Sequence, residues 1–144
     1  MAVATNKISH YMSGIFGSFM YGLFTPNSSE IQQSIESLRK RFNQSENIGL
    51  PRYENDNYHR ESESAESNYW HITSLWHAQY CLEVGEIDRA KIILDWVSDH
   101  SLSTGVLSEQ VKPSDQNVTS VAPLTWSQAE YIGTVLDLIV GKNS

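Results

Sequence analysis

Apolar residues recur along this 144-residue chain at helical intervals, and five stretches carry the pattern. The clearest holds Ile31, Ile35, Leu38 and Phe42 at steps of four, three and four, with Glu30, Gln33, Arg39 and Lys40 on the other face. Ser29 and Gln32 have the spacing of a capping box at its start. A third helix is predicted over about residues 69–82, with Ile72, Leu75, Trp76 and Leu82 on one stripe and Gly85 as terminator. The fourth follows directly, its apolar face formed by Ile87, Ala90, Ile93, Leu94 and Val97, with an exit at Asp99, His100 and Ser101. The fifth opens at Thr125, again at capping-box spacing from Gln128, and runs through Ala129, Ile132, Leu136 and Ile139 to Gly141.

The first stretch, residues 8–24, is apolar enough to resemble a secretory or membrane segment. His10, Ser13 and Ser18 interrupt it, Gly14, Gly17 and Gly22 punctuate it, and it runs into Thr25-Pro26-Asn27-Ser28 with no small-residue cleavage site. A helix apolar on most sides, buried inside a larger protein, fits better. No run alternates long enough to predict a strand, and short connections predict antiparallel neighbours, so the fold class is all-α. Two longer connections, residues 49–68 and 101–123, stand apart, and long irregular loops inside a helical array are usually functional or disordered. The Ser- and Glu-rich run from Arg60 to Glu66 reads as a solvated insertion.

Composition narrows the chemistry. Ten Lys and Arg against seventeen Asp and Glu give a formal charge of −7, which excludes a cationic nucleic-acid surface. The single Cys81 excludes an internal disulfide framework and, lacking an orienting partner beside His77, reads as a buried free thiol. His71 and His77 are six apart, off same-face spacing, and His10, His59 and His100 lack a carboxylate or Cys at ligand spacing, so neither a metal nor another cofactor is expected. Without a secretory or membrane-spanning segment, the expected location is cytoplasmic.

The chemistry-bearing residues lie in the two long loops. Gly105-Val106-Leu107-Ser108-Glu109-Gln110, followed by Val121-Ala122-Pro123-Leu124-Thr125-Trp126-Ser127-Gln128-Ala129-Glu130, resembles the end of a glucoamylase-type catalytic domain of glycoside hydrolase family 15. That family typically reads G-x-L-P-E-Q and then S-V-x-P-L-T-W-S-H-A. Upstream, Gly49-Leu50-Pro51-Arg52-Tyr53-Glu54-Asn55-Asp56-Asn57-Tyr58 resembles the family's G-x-x-R-Y-x-x-D-x-Y segment, and Tyr69-Trp70-His71-Ile72-Thr73-Ser74-Leu75-Trp76 its P-W-F-x-x-T-x-W helix. The likeness weakens at Tyr11-Met12-Ser13, where the family commonly has D-x-S.

The resemblance implies that the whole of residues 1–144 forms the last five helices of a twelve-helix (α/α)6 toroid, about seven helices being unaccounted for. It implies hydrolysis of terminal α-glucosidic bonds with inversion, Glu109 acting as general base. It makes Arg52 a grip on sugar hydroxyls and Trp70 a wall of the pocket, with Tyr53, Asp56 and Trp126 as further substrate-binding residues. A planar guanidinium presents fixed donors to vicinal hydroxyls, and an aromatic face packs on the apolar face of a pyranose. The family's catalytic acid lies on a Trp-Glu-Glu segment, which these 144 residues do not contain. The chain alone is therefore expected to be inactive, its partners being an α-glucan or α-glucoside, a complementing N-terminal portion, or a second copy.

Without the motifs, the residue types read more blandly. A loop Glu is usually a surface charge, an Arg an ion-pair member and a Trp a core side chain. Trp76 keeps that core reading, and Asp56 is balanced between orienting Arg52 and capping its loop. Two other classes stay open: a non-catalytic carbohydrate-binding or regulatory helical module, and a structural fragment of a split or truncated gene product that exposes apolar surface.

Overall fold

The computed structural model describes residues 14–141, with five helices among them: α1 Ile15–Met20, α2 Ser29–Arg41, α3 His71–Glu83, α4 Ile87–Asp99 and α5 Thr125–Gly141. Of the expected helix over residues 8–24, the described part holds α1, and Gly22 at φ 72° turns the chain just after its end; residues 8–13 and the Tyr11 position lie outside the described residues. Helix α2 is capped one residue earlier than the spacing indicates, the Ser28 hydroxyl accepting from Ile31 N. Similarly, the first turn of α5 closes from Gln128 N to the Leu124 carbonyl rather than through a Thr125–Gln128 box.

The core is all-helical, as expected, and a small sheet joins it. Four two-residue strands, β1 Leu50–Pro51, β2 Tyr69–Trp70, β3 Gln110–Val111 and β4 Val118–Thr119, form an antiparallel sheet in the order β1-β2-β3-β4. Leu50 pairs with Trp70, Trp70 with Gln110, and Gln110 with Thr119. Strands of two residues leave no alternation to detect, so this sheet is invisible to periodicity. It converts residues 69–70, expected as the first turn of the third helix, into strand.

Helix α3 is the centre of the array. His71, Ile72, Thr73, Ser74, Leu75, His77, Ala78, Tyr80 and Cys81 are all buried, so it has no solvent face of any width. One side joins Leu75, Ala78 and Cys81 to Ala90, Ile93, Leu94 and Val97 of α4 and to Leu107. Its other side brings Tyr80 to Phe16 and Phe19 of α1, to Ile31, Ile35 and Leu38 of α2 and to Leu50. Arg39 ties α2 to the turn after α3, with Nη1 and Nη2 on the Glu86 carboxylate at 3.0 and 2.5 Å, Nε on His77 Nε2 at 3.0 Å, and Nη2 on Cys81 Sγ. Burial pushes the Cys81 thiol up to about 12, which keeps it protonated and inert, as expected from its surroundings.

Helix α5 is apolar on more than one side, and the stripe that sequence spacing picks out is the wrong one. Tyr131, Val135 and Leu138 pack on the core, and Gln79 of α3 donates to Glu130 and Thr134. Ile132, Leu136, Ile139 and Val140 face outward, each more than half exposed. Among the described residues no helix is long and apolar enough to cross a membrane. Contiguous apolar surface of this kind drives association, so at ~10–50 µM (a range that detects weak association) the chain should scatter light as a dimer or larger. Replacing Ile132 and Leu136 with Ser should shift it towards monomer, and a clean monomer of the unaltered chain would count against this reading.

Candidate active site

The sheet gathers the ends of both long loops at the first turn of α3. Gly49 enters so close to Tyr69 and Trp96 that a Cβ there would lie 2.5 Å from the Tyr69 ring, which only glycine avoids. The next residue, Leu50, is clamped by α3: its N–H donates to the Ser74 hydroxyl at 3.0 Å and its carbonyl accepts from Thr73 Oγ1 at 2.6 Å. The second loop is held to the same turn. His71 N donates to the Glu109 carbonyl, and the Ser108 carbonyl accepts from both His71 Nδ1 at 2.8 Å and Ser127 Oγ at 2.9 Å. These bonds fix Arg52, just beyond β1, and Glu109, just before β3, relative to one rigid helix.

Arg52 sits in an aromatic bay. Its guanidinium carbon lies 4.4 Å from the centre of the Trp70 ring, 4.8 Å from Tyr53 and 5.5 Å from Tyr58. Asp56, almost fully buried, accepts from Arg52 Nε and Nη2 at 3.0 Å each, while its Oδ1 also accepts the Tyr58 N–H at 3.1 Å. Both readings of Asp56 therefore hold at once: it orients the arginine and caps the loop. Burial disfavours the Arg52 charge, but the hydrogen bonds and Coulomb attraction of Asp56 outweigh it and raise its pKa. The bidentate grip occupies one edge of the guanidinium, and Nη1 makes no hydrogen bond among the described residues, leaving two N–H donors for a ligand.

Glu109 is half-buried, and its carboxylate accepts from the Ser120 hydroxyl, while its backbone N–H donates to the Val121 carbonyl at 2.8 Å. Ser120 has φ 66°, a conformation held by the turn after β4. Glu109 and the Arg52 group thus share the sheet, with no direct bond between their side chains among the described residues. Trp126 lies apart from the bay on the first turn of α5, half exposed, where it meets Trp76 edge to face at 5.7 Å and donates to Glu130 at 3.0 Å. Trp76 is half-buried against the α1–α2 core, in keeping with its core reading.

Three contributors escaped sequence reasoning. Tyr58 stands in the quoted motif, yet nothing in its spacing shows that its ring flanks both Arg52 and Trp70. Ser120 has no signal beyond its place in the second motif. His71 is fully buried, and since a carbonyl can only accept, its proton is on Nδ1, leaving Nε2 without a partner.

Comparison with known proteins bears on this geometry. Solved structures of a wild-type glycosidase and of two glycosidase single-site variants each superpose with a TM-score of 0.74 at 20% sequence identity, covering 92% of this chain. The chain spans 37% of the length of those structures. A comparison with curated proteins gives no match. The helical core is thus a glycosidase fold. Residues 84–136, which include Glu109 and Trp126, match the family model of the glycosyl hydrolases family 15, and the C-terminal region carries a glycosidase fold of that type.

The buried histidines set a pH dependence. Burial holds His71 at about 4, partly offset by its bond to Ser108; burial together with Arg39 and Arg89 holds His77 at about 3. Both lie below the ordinary value of about 6.5, so the unfolded chain binds these protons first as pH falls. Stability is therefore fully present above about pH 6.5 and lost towards pH 4, at up to ~1.4 kcal/mol per pH unit for each histidine. Urea midpoints between pH 7.5 and 4 should fall accordingly, and His77→Gln should flatten the slope; a midpoint independent of pH would contradict it.

Proposed function

We propose that this chain carries the water-activating half of an active site that hydrolyses terminal α-glucosidic bonds with inversion. The arrangement supporting it best is the Arg52 bay: a guanidinium pinned by Asp56, backed by Trp70, Tyr53 and Tyr58, with two donors still open, and Glu109 just before β3, the strand that pairs with Trp70. A sugar ring fits such a bay, because its hydroxyls need fixed donors and its C–H face needs an aromatic wall. In this reading Trp126 contacts the substrate outside the bay, from the start of α5, and the five helices are part of an (α/α)6 toroid.

Glu109, oriented by Ser120, takes a proton from water as the water oxygen bonds to the anomeric carbon. The glycosidic C–O bond breaks on the opposite face, and a carboxylic acid protonates the departing oxygen. That acid comes from outside these 144 residues. In the assembled site the two carboxyl groups should stand ~6.5–9.5 Å apart, leaving room for the water. An α-glucan or α-glucoside is the substrate class.

The chain alone should release no glucose from maltose, maltoheptaose or trehalose, and steady release abolished by Glu109→Gln would overturn this. With the remaining helices of a related enzyme supplied by fusion, Glu109→Gln should lower kcat by about 10²–10⁴-fold while KM stays close to that of the unaltered protein. Arg52→Ala should lower kcat/KM by about 10²-fold, with KM raised, because it removes donors that hold the sugar throughout. Full activity of Glu109→Gln would remove the assignment.

A further inference from the structure

Away from the sheet, the C-terminal end of α2 and the N-terminal end of α4 border an open cavity of about 600 Å³, lined by Glu36, Arg39, Lys40, Gln44, Glu86 and Arg89 among others. Its charges are unevenly satisfied. Arg39 and Glu86 neutralise each other through two bonds, and Arg39's third nitrogen is held by His77. Arg89 is half-buried with no carboxylate at ion-pair distance among the described residues. Its Nη2 donates to the Gln44 carbonyl at 2.6 Å, and its Nε and Nη1 find no acceptor among the described residues. Lys40 is exposed and has no carboxylate at ion-pair distance among the described residues.

A cation withdrawn from water and left without a counter-charge is costly unless an anion completes it. Burial, with the neighbouring Arg39 charge, lowers the Arg89 pKa against the opposing attraction of Glu86, and the three cations of the lining face two carboxylates, Glu36 and Glu86. Two open guanidinium nitrogens, Nε and Nη1, with the exposed Lys40 ammonium lining the same cavity, suit an oxyanion that accepts several bonds at once. We infer that this cavity binds a small tetrahedral oxyanion of the phosphate class, held by Arg89 and Lys40 against the fixed wall of Arg39 and Gln44. A sugar is a poorer fit, since none of the lining residues is aromatic.

The test uses inorganic phosphate and the full chain at pH 7.5, with sodium chloride at matched ionic strength as the control. The phosphorus-31 resonance of phosphate should broaden on adding protein, and the thermal midpoint should rise by about 2–4 °C in phosphate over chloride. Arg89→Gln should abolish both effects and Lys40→Gln should weaken binding about fivefold, whereas Arg41→Gln, outside the cavity and paired with Glu54, should leave them unchanged. Should Arg89→Gln fail to fold by circular dichroism, Lys40→Gln decides, because its side chain is exposed. No broadening with the unaltered chain, or equal broadening with Lys40→Gln and every folded Arg89 variant, overturns the inference.

Discussion

The first turn of α3 is the constraint on which the rest of the structure depends. A helix start leaves N–H groups without intrahelical partners, and here no side chain caps it. One loop answers that need, the Glu109 carbonyl taking the His71 N–H, and the helix in turn serves the other loop, the Ser74 and Thr73 hydroxyls pairing with both backbone groups of Leu50. His71, Thr73, Ser74 and Leu50 are all buried, so their bonds are enforced by the cost of leaving them unmade. Strands β1, β2 and β3 are the geometric result of satisfying one buried helix end from two loops.

That arrangement explains how irregular segments can hold a well-defined group of side chains. Arg52 and Glu109 stand on loops, but each is within two residues of backbone clamped to the most buried helix of the fold. Asp56 then fixes the guanidinium with paired bonds, and the three surrounding rings shield it while leaving one nitrogen open. A cation in such a bay gains from the rings' negative faces and needs its carboxylate to offset desolvation. The same burial has a price in acid, since His71 and His77 are kept neutral inside α3.

The central position of α3 also sets the outer surface. With α1, α2, α4, α5 and the sheet all packed around it, α5 can present just one side inward, and Tyr131, Val135 and Leu138 take it. The remaining apolar residues of α5 are left to solvent.

The sequence by itself determined the four longer helices, because each spans at least three turns and periodicity accumulates over that length. It also brought the candidate residues to notice, since Arg52-Tyr53 with Asp56, and Glu109, stand in local strings that survive without a structure. It did not determine the sheet, the exposed side of α5, or the partners of Tyr58, Ser120 and His71. Strands of two residues carry no period, and a helix apolar on several sides does not say which of them is covered. Whether a ring 18 positions from Arg52 touches its guanidinium, as Trp70 does, is fixed by buried hydrogen bonds between segments distant in sequence. Only the tertiary structure decides such contacts, because they exist once the loops close on α3 and not before.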